Sequence, residues 1–158
     1  MRKPILLALN AVAVALVATA LLAQLPEPIF GTWKVNLTKS KYSPGPAPKS
    51  NTKRYEAYKG GLKATQDAVT AKGDIQHVEI VGAFDGKDYP ATGNPEADTY
   101  AFKHAGDRTY EITQKKAGQV TITSKTVISA DGKTRTVEQT GKNTKGEAVK
   151  NAVLWERQ

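Results

Sequence analysis

The sequence predicts an all-β chain: a single up-and-down antiparallel β-barrel of about eight to nine strands, with no substantial helix after an N-terminal export segment. Three observations carry that expectation. From Ile29 onward, short runs alternate apolar and polar residues, the period-2 pattern of half-buried strands. Short turns rich in Gly, Asn and Asp separate most of these runs, as in consecutive hairpins. Past residue 25 no window repeats its apolar residues at the helical spacing. A meander this long leaves two open edges unless it closes, so the first strand should pair with the last.

The N-terminus sets the address. Met1-Arg2-Lys3 is positive, and Ile5–Ala23 is apolar but for Asn10 and Thr19. This reads as a secretory signal peptide over 1–23, with cleavage after Ala20 and after Ala23 both open. The expected location is therefore secreted or periplasmic, with no membrane integration once the signal is removed. Residues 24–28 hold Pro26 and Pro28 and read as a stiff, extended lead-in. Residues 29–158 form one barrel domain, and the length leaves room for no second one. The chain has no cysteine, which excludes disulfides, thiol catalysis and thiolate metal sites. Its net charge is +8 with a pI near 9.6. The cations are scattered along the chain, the pattern of solvated strand faces, and no nucleic-acid partner is expected.

In order, Ile29, Gly31, Trp33, Val35 and Leu37 share one face of the first strand, which its composition marks as the buried one. Residues 39–50 carry Pro44, Pro46 and Pro48 and read as a fixed-shape loop. Asn51–Lys59 and Leu62–Val69 flank Gly60-Gly61 as a hairpin. Ile75–Phe84 places Val78, Ile80, Gly82 and Phe84 on one face. Asp98–His104 does the same with Tyr100, Phe102 and His104, and Arg108–Lys116 with Tyr110 and Ile112. Gln119–Ser129, the threonine-rich Lys133–Gly141, and Val149–Arg157 complete the set. The exception to the short turns is 85–97, with two Pro and two Gly. It reads as a long ordered loop, and Tyr89, Pro90, Asn94 and Pro95 are its candidate lid residues.

Phe30-Gly31-Thr32-Trp33-Lys34 resembles the first-strand Gly-x-Trp signature of the calycins, the lipocalins and fatty-acid-binding proteins. Val153-Leu154-Trp155-Glu156-Arg157 is similar to the last strand of the fatty-acid-binding proteins. The resemblance implies that Gly31, Trp33, Trp155 and Arg157 close the barrel, with Arg157 packed on the Trp33 indole. Further motifs at 31–34, 39–46, 85–90 and 93–95 look like those of secreted, lipocalin-like bacterial proteins. That likeness implies fold and export rather than a defined activity.

Little in the chain suggests catalysis. His77 and His104 stand in no metal-ligand spacing, no Ser lies in a nucleophile elbow, and no glycine-rich loop opens a helix. No catalytic residue, metal or cofactor is expected, and the chain does not read as an enzyme. What remains is the interior of the barrel, which at this strand number holds side chains or one small ligand. Counting inward from Trp33, the candidate ligand-binding residues are Arg54, Tyr55, Val78, Ile80, Tyr100, Phe102, Tyr110 and Ile112. Arg54 or Arg135, if inward, could meet a carboxylate. Thr and Gln alternate with Val and Arg on the later strands, which favours a small amphipathic or polar ligand over a long acyl chain. The alternative is an envelope or surface interaction protein without a ligand, using the 39–50 and 85–97 loops.

Overall fold

A computed structural model describes residues 27–158; the expected signal segment and residues 24–26 lie outside them. Ten strands follow in order: β1 (Gly31–Lys41), β2 (Ser50–Tyr58), β3 (Gly61–Val69), β4 (Ile75–Gly82), β5 (Asp85–Thr92), β6 (Thr99–Gly106), β7 (Thr109–Lys116), β8 (Gln119–Ile128), β9 (Thr134–Lys142) and β10 (Ala148–Arg157). Each pairs antiparallel with the next, and β1 pairs with β10, so the sheet is a closed up-and-down barrel. No helix occurs among the described residues.

The count exceeds the eight to nine read from sequence because of β5. The stretch 85–97 is a strand followed by a short loop over 93–98, not one long loop. Pro90 disguises it, since proline lacks the ladder N–H. It is tolerated because β5 meets β4 only at Glu79↔Thr92 and Ile80↔Ala91, while Tyr89↔Tyr100 and Pro90↔Thr99 align it with β6. The Pro-rich loop is likewise shorter than 39–50, because β1 runs on to Lys41. The end of the lead-in is a turn rather than an extended segment: the Phe30 N–H donates to the Glu27 carbonyl at 2.9 Å.

The two ends of the barrel differ. One carries the tight turns at 59–60, 83–84 and 107–108, the 129–133 loop and both ends of the described chain. There the apolar core is dense. Ile29, Leu62, Phe102, Tyr110 and Ile128 are buried, and Phe84 touches Tyr110, Phe102 and Phe30 with ring centroids 5.4, 6.4 and 6.3 Å apart. Residues 27–30 lie across this end as a plug. The Trp33 indole N–H donates to the Ile29 carbonyl at 2.8 Å, and the Tyr110 hydroxyl donates to the Glu27 carboxylate at 2.9 Å. The other end carries the longer loops at 42–49, 70–74, 93–98 and 143–147 and stays open.

Closure rests on Trp33 and Arg157, which sit opposite each other across β1 and β10. The Arg157 guanidinium lies 4.1 Å from the Trp33 ring centroid. It donates to the carbonyls of Pro28 (2.8 Å), Gly132 (2.6 Å) and Phe30, tying together the plug, the β8–β9 loop and the last strand. Gly31 makes room for this. Its φ is +126°, and a Cβ there would collide with Arg157 Nη1.

Two stability outcomes follow from this end. Trp33→Ala removes a fully buried indole, and the denaturant midpoint should report a loss of roughly 3–5 kcal/mol; an unchanged midpoint would take away the core role of Trp33. Gly60, at φ +76° with nothing near its missing Cβ, serves as a control for backbone strain alone. Gly60→Ala should cost roughly 1–3 kcal/mol, and Gly31→Ala should cost more, because it also unseats Arg157. Equal midpoint shifts would show that the seat contributes nothing.

Candidate functional site

Alternation along β2 decides what faces the interior. Tyr55 is buried against the core, so Lys53 and Asn51 share its inward face while Arg54 and Glu56 point out. Arg54 is accordingly outside the cavity, paired with Glu56 at 2.9 Å on the surface. The same parity on β9 turns Arg135, Val137 and Gln139 inward.

Above the apolar end the interior is hollow. A small chamber of about 30 Å³ is lined by Tyr55, Val78, Ile80, Tyr100, Phe102 and Ile112, together with Lys53, Thr126 and Arg135. It has room for little more than a water or two. It opens into a vestibule of about 400 Å³ under the open end, within the range of small-molecule sites. Lys53, Gln66, Tyr100, Gln114, Val137 and Gln139 line both spaces, so the two are continuous. Six of the eight candidate ligand residues line the chamber. Tyr110 instead lies in the closed end on Glu27. Of the candidate lid residues, Asn94 reaches the vestibule and its amide donates to the Tyr100 hydroxyl at 2.6 Å. Pro95 is exposed in the 93–98 loop, and Tyr89 and Pro90 belong to the wall strand β5. From the Pro-rich loop, Tyr42, Pro44 and Pro46 form part of the vestibule wall.

The electrostatics of this interior are one-sided. Arg135 is only 1% exposed, and its guanidinium is held among rings: 4.6 Å from the centroid of Trp155, 5.2 Å from Tyr55 and 5.4 Å from Trp33. Lys53 keeps some surface on the cavity, and its ammonium lies 5.3 Å from the Trp155 centroid. Among the described residues neither cation has a carboxylate within ion-pair reach; the ion pairs present lie on the wall or at the plug. Burial holds the Lys53 ammonium below the usual lysine range, and the charge of Arg135 adds to the effect against an opposing pull from Tyr55. Arg135 is lowered by burial too. Burial would raise Tyr55, but Arg135 and Lys53 outweigh it and hold the phenol below its ordinary value. Burial pushes Tyr100 up to about 12, against the opposing hydrogen bond from Asn94.

Four buried side-chain atoms lack a hydrogen-bond partner among the described residues: Arg135 Nε, Trp155 Nε1, Thr126 Oγ1 and Asn51 Oδ1. All four residues line the chamber or the vestibule. Unpaired buried polar atoms are costly and rare, and here they gather around one space. The histidines are elsewhere. His77 Nδ1 sits 2.6 Å from Asp67 on the outer wall, and His104 Nε2 lies 3.4 Å from Glu27 at the plug. No group of three metal-ligating side chains occurs among the described residues.

Lys53, Gln66, Gln114, Gln139 and Asn51 were not legible as site residues, because a polar residue on a mixed strand reads by default as solvated. The available signal was local: once Tyr55 is inward, Lys53 two residues earlier must be inward too.

No family model matches this chain, and no curated protein matches it. The architecture, a closed antiparallel barrel with the first-strand Trp under a C-terminal Arg, is compatible with a calycin-like fold.

Replacing Arg135 by Met separates stability from function. Exchanging a buried cation that has no carboxylate partner for an apolar side chain of similar length removes its desolvation cost. Arg135→Met should therefore keep or raise the denaturant midpoint while emptying the chamber of its deepest charge. A lowered midpoint would show that the three rings, Tyr55 among them, compensate the charge in full.

Proposed function

We propose that this chain is an exported, lipocalin-like binding protein that holds a small amphipathic or polar molecule inside its barrel, with an acidic group of the ligand seated at Lys53 and Arg135. The observation that carries the reading is the pair of inward cations without a carboxylate partner, beside an open cavity. An isolated buried charge is costly. An incoming carboxylate would supply the missing counter-charge and accept charge-assisted hydrogen bonds from both. The three rings around Arg135 support the same reading, since they hold the guanidinium in place before any ligand arrives, and preorganisation lowers the cost of binding. Export rests on the residue 1–23 pattern, and kinship with the calycins rests on the Gly31, Trp33 and Arg157 arrangement.

The test is titration calorimetry of the purified protein with an acid and its uncharged analogue: hexanoate against hexanol, and glucuronate against glucose. At least one acid should bind with saturation and outcompete its neutral counterpart. Equal affinity for acid and neutral analogue in both pairs would overturn the assignment. The pH dependence has a definite sign. The acid stays ionised above neutrality, whereas Lys53 loses its proton at a pH below the ordinary lysine value. Affinity should thus fall with rising pH at a point below the ordinary lysine range, and Lys53→Met should remove that alkaline limb. An alkaline limb that survives Lys53→Met would assign the titration to another group.

A further inference from the structure

The vestibule is lined by amides. Eight Asn and Gln side chains border it, among them Asn51, Gln66, Gln76, Gln114, Gln139 and Asn151. Six come from β2, β3, β4, β7, β9 and β10, and Asn94 and Asn143 come from the loops at the open end, so they surround the space. A barrel built for an acyl chain would present aliphatic side chains at these inward positions. Each amide instead offers two N–H donors and a carbonyl acceptor. A group that both donates and accepts at one atom, the hydroxyl, matches that lining best.

Part of the lining is already fixed. The Asn151 amide donates to Gln139 Oε1 at 3.0 Å, and the Gln139 amide donates to Ser124 Oγ at 3.3 Å. Glu96, the one carboxylate on the vestibule among the described residues, accepts from the Thr144 backbone N–H and hydroxyl at 2.9 and 2.7 Å. Among the residues that line the same spaces, Trp155 Nε1 and Arg135 Nε are buried donors without acceptors, and Asn51 Oδ1 is a buried acceptor without a donor. An alkyl tail would leave all of these unpaired. A hydroxylated tail carries partners of both kinds, and Tyr42 and Tyr100 offer it aromatic surface.

We infer that the ligand is a hydroxyl-rich organic acid of the sugar-acid class, its carboxylate at Lys53 and Arg135 and its hydroxyls among the vestibule amides. This rests on the acid-binding reading above and adds the chemistry of the rest of the molecule. A site that hydrogen-bonds hydroxyls rejects analogues that lack them, because its buried polar groups are then left unpaired.

The experiment compares three probes by calorimetry on the full protein: glucuronate (acid with hydroxyls), hexanoate (acid without) and glucose (hydroxyls without acid). Glucuronate should bind at least about tenfold more tightly than either. Hexanoate binding as tightly as glucuronate would overturn the hydroxyl inference and leave the acid-binding reading standing. Glucose binding as tightly as glucuronate would remove the acid from both. Binding of none of the three would overturn both. Two variants separate a ligand role from a structural one. Gln66→Leu, within both spaces, should weaken glucuronate by about tenfold without changing hexanoate. Asn51→Leu removes an acceptor that has no partner in the fold, so it should hold the denaturant midpoint or raise it while weakening glucuronate. Loss of stability without loss of glucuronate affinity would make Asn51 a structural residue only and would count against the inference.

Discussion

One indole organises this barrel. The Trp33 ring carries the negative potential of an aromatic quadrupole, and two guanidiniums lie over it, Arg157 at 4.1 Å and Arg135 at 5.4 Å from the ring centroid. Arg157 is fully employed: three backbone carbonyls take its N–H groups. Arg135 is stacked but incompletely bonded, with Nε free. The same kind of contact therefore serves two ends. On the plug side it locks the last strand to the first and to residues 27–30. On the cavity side it holds a cation at the floor of an open chamber.

The division between a sealed end and a wet end follows from closure. In a closed antiparallel sheet the ladder hydrogen bonds of the wall are made between neighbouring strands all the way round, so no edge is left for the interior to cover. Apolar burial then has to be sufficient in one place only. Trp33, Leu62, Phe102, Tyr110 and Ile128 supply it at the closed end. The other half of the interior is free to carry Lys53, Gln66, Gln114 and Gln139, which no open sandwich of this size could bury without losing its core.

The architecture was legible for a physical reason. Period-2 alternation reports a face, and in β4, β6 and β7 the inward face is marked by Val78, Ile80, Tyr100, Phe102, Tyr110 and Ile112. Those residues announce both the strand and its orientation, and five of the six line the chamber. In β2 and β9 both faces carry charge, and periodicity alone cannot choose between Lys53 and Arg54. The choice is made by register. Trp33 stands opposite Lys53, and Trp155 opposite Arg135, so the inward direction passes from an indole to a cation across the ladder. β5 was hidden for another reason. Its Pro90 and flanking glycines are turn residues by composition, and only its pairing with β6 makes it a strand.

A lining that is polar but short of partners bears on how the protein balances stability and use. Aliphatic side chains in place of Lys53, Arg135, Asn51 and Thr126 would remove the desolvation of the two cations and the unpaired atoms of Asn51 and Thr126. Each change should stabilise the fold or leave it unaffected. That these groups converge on one space argues against random imperfection, because unpaired atoms with no shared purpose would be scattered through the core. Their charge is also one-sided: two cations, with no free carboxylate among the described residues to meet them. The stability withheld from the empty barrel is then available on occupation, since a ligand that supplies the missing acceptors recovers it as affinity. On this view the closed end carries the fold, and the open end carries the site proposed for a ligand.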